Sequence, residues 1–124
     1  MIMAFSWTTP ALLAGAKTVT RRDWTPRHAA KFKAGQLVDA WNTTPRNVSG
    51  NPHKVAVIRL TRDPYQELSS DIPAEDWYAE GFEYAMTHDL RFRKKTTAQE
   101  VWDFWKAEPH YQWVVRFELV EVVA

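Results

Sequence analysis

Apolar and polar residues alternate most strongly in HKVAVIRLT, residues 53 to 61, which predicts a strand with one face buried. QLVDAW at 36 to 41 and YQWVVRFELVEVV at 111 to 123 read as two more strands, the last with valines for its core face. IMAFSW, residues 2 to 7, predicts an opening strand, and the β-branched TVT after Lys17 predicts another extended segment. Helical spacing appears in AQEVWDFWKA, where Thr97 and Glu100 form a capping-box pattern ahead of an amphipathic run. Pro10 suits the first turn of a helix over ALLAGA, with Gly15 near its end. PRHAAKFK, 26 to 33, reads as a short helix or turn stopped by Gly35. IPAEDWYAEGF reads as a helix with Pro73 at its start and Gly81 near its end. NTTPRNVSGNP, 42 to 52, and RFRKK, 91 to 95, are expected as loops. Short strands interleaved with short helices, and no internal repeat, predict one α+β domain over residues 1–124, built as a β-barrel with helical inserts.

Composition removes several chemistries. The chain has no Cys, so disulfides, thiolate metal sites and thiol nucleophiles are excluded. His28, His53, His88 and His110 lie far apart, and no phosphate-binding loop or dinucleotide fingerprint occurs, so neither metal nor organic cofactor is expected. MIMAFSWTTP has no cationic start and no long apolar core, and no apolar run reaches membrane-spanning length; a cytoplasmic protein without membrane association is the expectation.

The charge distribution adds a question. Residues 1 to 62 carry ten Lys or Arg against Asp23 and Asp39, whereas 63 to 124 carry six basic and thirteen acidic residues. Such asymmetry fits a basic surface that steers an anionic ligand, or two halves that pair with each other inside the fold.

LLAGAKTVTRR, 12 to 22, resembles the opening signature of the ASCH domain family. FKAGQLVDAW, 32 to 41, resembles that family's next segment, YAEGF at 78 to 82 its acidic element, and WVVRFELVEV its closing strand. The resemblance implies a PUA-like mixed β-barrel with short flanking helices, and RNA or a modified nucleoside as partner. Some small bacterial members are amidohydrolases of N(4)-acetylcytidine that use a Lys, a Thr and a Glu; carried over by motif, these fall on Lys17, Thr20 and Glu80. The resemblance also leaves open a non-catalytic RNA or modified-base reader, or a metal-independent ribonuclease. The chain departs from the pattern at Ala16, at Arg21 and in the insertion THDLRFRKK, residues 87 to 95.

The residues themselves make chemical sense beside each other. A Thr hydroxyl becomes nucleophilic when a base takes its proton, and a lysine amine serves once burial or nearby cations lower its pKa. Arg21 and Arg22 push Lys17 that way; Glu80 pushes back. Either arginine can bind phosphate or stabilise an anion. Trp7, Trp24 and Tyr65 flank the basic elements and are candidate stacking surfaces for a base. The ordinary alternatives are a solvated lysine, a strand threonine, a helix-surface glutamate and packed aromatics. Strand residues three apart face opposite ways, so a shared site requires Lys17 in the turn after Gly15 or a bulge before Thr20.

Overall fold

The longest strand organises the sheet. In the computed structural model, which describes residues 1–123, Tyr111–Val122 is β8, and it pairs with three different partners along its length. Its first half lies antiparallel between β2 (Val19–Arg22) and β5 (Tyr65–Leu68), and its second half pairs with β4 (Lys54–Leu60). β4 continues to β3 (Leu37–Trp41), and β3 to β1 (Ile2–Ala4), the one parallel pairing of this sheet. The path β1-β3-β4-β8-β2 leaves β1 and β2 as the two edges. Register shifts at Ala40/Trp41 and Val57/Ile58 mark irregularities that bend strands, and the sheet curls into a half-barrel.

The concave side fills with apolar side chains at alternate positions: Val38 and Ala40 of β3, Val55, Ile58 and Leu60 around β4, and Val115 and Phe117 of β8. Met3, Phe5, Leu12 and Phe32 complete this cluster. Leu12 comes from α1 (Thr9–Leu13), which carries Pro10 in its first turn; Phe32 follows α2 (Pro26–Ala29).

A second, smaller cluster forms under the acidic half. Phe82 and Ala85 of α4 (Phe82–Thr87) meet Ala98 of α5 (Ala98–Ala107), with Trp7, Trp77, Trp102 and Trp105 packed around them. The capping box at Thr97 and Glu100 starts α5 as the sequence predicts. Between α4 and α5 the chain makes a hairpin of β6 (Arg91–Phe92) and β7 (Thr96–Thr97), in place of the simple loop expected there. The opening strand is shorter than predicted, because Ser6 has φ of +48° and begins a single helical turn over Ser6–Thr8. β5 was not expected at all: its four residues show no alternation, and its pairing with Tyr111–Val114 is a long-range contact. None of the helices, among the described residues, is long and apolar enough to cross a membrane.

One glycine fixes how the two clusters meet. α3 (Asp76–Ala79) and α4 do not merge into one helix, because Gly81 sits between them at φ +83°. A Cβ there would lie 2.8 Å from the Ala11 Cβ and 3.2 Å from the Lys17 Cβ, so the backbone of the AEGF segment touches the turn that carries Lys17. Gly81→Ala should therefore cost about 1–3 kcal/mol from overpacking and the left-handed backbone. Chemical denaturation measures this directly, and a change within experimental error contradicts the close approach.

Candidate functional site

The turn after α1 sets the site. Gly15, at φ +75°, reverses the chain, and Ala16, Lys17 and Thr18 then run outside regular structure before β2 begins at Val19. The Ala16 amide donates to the Ala11 carbonyl, the Thr18 amide to Ala79, and the Thr18 carbonyl accepts from Phe117. Lys17 is thus off the strand ladder, which is the first of the two geometries that a shared Lys17–Thr20 site demands.

Lys17 is buried, at 3% exposure, and its Nζ donates to both the carbonyl oxygen (2.8 Å) and Oε1 (2.9 Å) of Glu80. Glu80 caps the C-terminus of α3 and is equally buried. Its other oxygen accepts from Arg21 Nη1 at 2.8 Å. Arg21 Nη2 reaches Glu67 at 2.8 Å and Asp76 at 2.6 Å, and Asp76 also accepts from Arg116 through both of its oxygens. Arg116 Nε donates to the Tyr65 hydroxyl at 3.0 Å. Four side chains of this chain of contacts, Lys17, Arg21, Asp76 and Glu80, are at least nine-tenths buried. Cations from the first half meet acids from the second, so pairing between the halves accounts for part of the charge asymmetry.

Burial disfavours the charged ammonium and lowers the Lys17 pKa below its ordinary value; Glu80 opposes this without reversing it, and Arg22 and Arg21 add to the lowering. Burial acts the same way on Arg21, but Glu80, Asp76 and Glu67 outweigh it and hold the guanidinium more firmly protonated than usual. Burial pulls Arg22 down to about 10, against the attraction of Glu80, which still leaves it charged at neutral pH. Asp76 is held below the ordinary carboxylate range because the hydrogen bonds from Arg116 and Arg21 exceed the penalty of burial.

Thr20 lies on β2 opposite Val115 and is buried. Its Oγ1 accepts from Arg22 Nε at 3.1 Å; among the described residues, no hydrogen bond joins it to Lys17. Arg22 Nη2 continues across to the Ala4 carbonyl at 2.7 Å, bridging the two edges of the half-barrel, and its guanidinium sits 5.2 Å from the Phe5 ring centre.

A cavity of about 700 Å³ opens along this seam. Lys17, Thr20, Arg21, Arg22 and Glu80 all line it, and so does Trp7. Phe82, Phe92, Phe104 and Trp105 give it an apolar roof from the helical side, while Asp23 and His110, 3.5 Å apart, lie on its wall. Trp24 and Tyr65 do not line it. Trp24 stacks on Phe32 at 4.6 Å, and Tyr65 is engaged by Arg116 and lies 4.0 Å beneath Arg62, so packing and ion-pair support replace the stacking role expected for them. The network residues Asp76, Glu67 and Arg116 were missed from sequence. Arg116 had a signal, since WVVRF sets a cation inside an otherwise apolar strand; Glu67 and Asp76 are two of many acids between 63 and 89 and had none.

The depressed Asp76 pKa makes a pH-dependent contribution to stability. A carboxylate whose pKa is lower in the fold stabilises fully above its unfolded value, about 3.9, and loses that contribution as pH falls through its folded value. Asp76→Asn should be less stable than wild type at neutral pH and should lose less stability on acidification below about pH 4. Denaturation midpoints at several pH values test this; parallel curves for the two proteins contradict it.

No family model matches the chain, and none of the curated proteins matches it. Among solved structures it is similar to protein EF3133 from Enterococcus faecalis, of the family named DUF984, with a TM-score of 0.54 and 17% sequence identity over 96% of this chain and 73% of that one. At that identity the likeness concerns the fold, a small curled sheet with a few short helices.

Proposed function

We propose that the chain is a PUA-like domain of the ASCH type that binds a nucleoside in the seam cavity and hydrolyses an exocyclic amide such as that of N(4)-acetylcytidine. What supports the reading is the convergence of Lys17, Thr20, Glu80 and Arg22 on one cavity that has an aromatic roof. Its volume suits a nucleoside, and apolar walls with a few polar groups are what small-molecule sites require. Trp7, half-buried on this wall and backed by Phe82, offers a surface against which a base can lie.

The chemistry follows from the charges. Neutral Lys17 takes the proton of the Thr20 hydroxyl as Oγ1 attacks the acyl carbon. The oxyanion that forms is stabilised by the Arg22 guanidinium, already within hydrogen-bond distance of Oγ1. Collapse breaks the C–N bond, and the departing cytidine amine receives the proton from the Lys17 ammonium. Water then attacks the acyl-threonine ester, giving a proton to Lys17; collapse breaks the ester C–O bond, Lys17 returns that proton to Thr20 Oγ1, and acetic acid leaves, ionising to acetate in solvent. Glu80 holds the Lys17 amine in place through Oε1 and through its own carbonyl.

One observation favours a second reading. Lys17 is committed to Glu80, and Thr20 to Arg22, with no hydrogen bond between the proposed base and nucleophile. A non-catalytic reader of a modified base needs no such bond and uses the same walls.

Incubation with N(4)-acetylcytidine and chromatographic detection of cytidine separates the two. Hydrolysis by wild type, with Thr20→Val lowering kcat/KM at least about a thousandfold while its melting temperature stays close to wild type, is the expected result. Binding without cytidine release supports the reader and removes the hydrolase. Because the base must be neutral and the Lys17 pKa is lowered, kcat/KM should rise with pH through a limb centred below the ordinary lysine value. A limb at or above that value contradicts Lys17 as the base.

A further inference from the structure

A second cavity, of about 830 Å³, lies beside the first, and Ser6, Trp7 and Phe92 belong to the walls of both. The Trp7 and Phe92 rings, 6.2 Å apart and edge to face, stand between them. The two differ in charge. The charged residues lining the second are Asp89, Arg91, Arg93 and Lys94, all from the β6–β7 hairpin or the turn leading into it. Arg91 is neutralised by Asp89 at 2.9 Å and donates to the Lys95 carbonyl. Arg93 and Lys94 have no carboxylate partner among the described residues, and Thr43 and Asn47 face them from the 42–52 loop.

The hairpin backbone makes these two cations harder to dismiss as ordinary surface charge. Arg93 and Lys94 occupy consecutive left-handed positions, at φ +53° and +63°. Turns of this hand are built at least cost from Asn and Gly, so long cationic side chains there add backbone strain of order 1 kcal/mol or more each with no stabilising ion pair in return. Strain without local reward points outward, toward a ligand. The Arg93 guanidinium lies 5.0 Å from the Phe92 ring centre, which places a fixed positive charge directly over the shared wall.

We infer that the β6–β7 hairpin is a phosphate subsite: a nucleoside held in the first cavity carries a phosphate ester into the second, where Arg93 and Lys94 bind it. This rests on the nucleoside reading above and sharpens it, making the substrate a nucleotide rather than a free nucleoside. The phosphate can belong to a mononucleotide or to an RNA strand; the recognition chemistry is the same.

The test is equilibrium binding, by titration calorimetry on the full chain, of cytidine, cytidine 5′- and 3′-monophosphate, ribose 5-phosphate and a short oligoribonucleotide. A monophosphate should bind about tenfold more tightly than cytidine at low ionic strength, as a charge-assisted contact on an exposed site allows, and the advantage should shrink as salt rises. The double variant Arg93→Gln with Lys94→Gln, both exposed and outside the catalytic set, should lose that advantage and leave cytidine affinity unchanged. A gain confined to the oligoribonucleotide and lost in the variant also supports the subsite and identifies a strand as the source. Equal affinity for cytidine, its phosphates and the oligoribonucleotide overturns the subsite while the nucleoside reading stands. Binding of ribose 5-phosphate as tight as the nucleotides, with no measurable cytidine binding, overturns the nucleoside reading and leaves the hairpin an anion site only. No binding of any probe overturns both.

Discussion

Glu80 divides its carboxylate between two buried cations, and the arrangement of the site follows from that division. Removing a charge from water costs several kcal/mol per ion even after relaxation, so a buried carboxylate persists only when both oxygens are well partnered. Here one oxygen meets Lys17 and the other Arg21, and the Glu80 carbonyl takes a further bond from the same ammonium. The consequence is mechanical as well as electrostatic. Lys17 belongs to the turn before β2, Arg21 to β2 itself, and Glu80 to the end of α3, so a single carboxylate ties the edge of the sheet to the helical half. Asp76 repeats the device one helical turn earlier, between Arg21 and Arg116, and thereby joins β8 to the same knot. Gly81 is what permits the approach, because any side chain there collides with Ala11 and Lys17.

The same burial that makes the network costly sets its cations apart. The guanidiniums of Arg21 and Arg22 remain charged near neutrality, whereas Lys17 feels desolvation more strongly than it feels its partner, and its pKa falls. The buried network thus moves Lys17 and Arg21 in opposite directions, loosening the proton of the lysine and tightening that of the guanidinium. A general base needs an amine that is held in place and gives up its proton more readily than usual, and the balance between dehydration and one shared carboxylate moves Lys17 in that direction.

Much of the frame was legible in the sequence because alternation and capping are local signals. β3, β4, β8 and α5 fall within a residue or two of the expected limits. β5 and the β6–β7 hairpin were not legible: each is two to four residues long and is defined by its pairing rather than by its own pattern. For the site, Gly15 marked the end of α1, but whether Lys17 lay in the turn after it or a bulge preceded Thr20 was left open by the sequence, and the structure takes the turn. The meeting of Lys17 with Glu80 was suggested only by the motif resemblance, since 63 residues separate them and no periodicity links them. Trp24 and Tyr65 illustrate the reverse case. Nearness in sequence to basic residues places an aromatic on the same strand or turn but does not decide its partners: Trp24 stacks on Phe32, Tyr65 is held by Arg116, and neither ring lines the cavity.

The position of the cavity has a reason in the topology. A five-strand path with two register shifts curls far enough to enclose a core but not far enough to pair its edges, so β1 and β2 face each other across a gap that backbone hydrogen bonds do not close. Side chains close it instead. Arg22 spans from Thr20 to the Ala4 carbonyl, and the aromatic roof from α4, β6 and α5 covers the opening. A seam closed by side chains presents functional groups where a closed barrel would present only amides already paired to each other. Strand β2 has a free flank because it is an edge: an interior strand has both rows of backbone groups engaged and both neighbours crowding its side chains, whereas here Thr20 and Arg22 of the strand, with Lys17 from the turn before it, line the cavity.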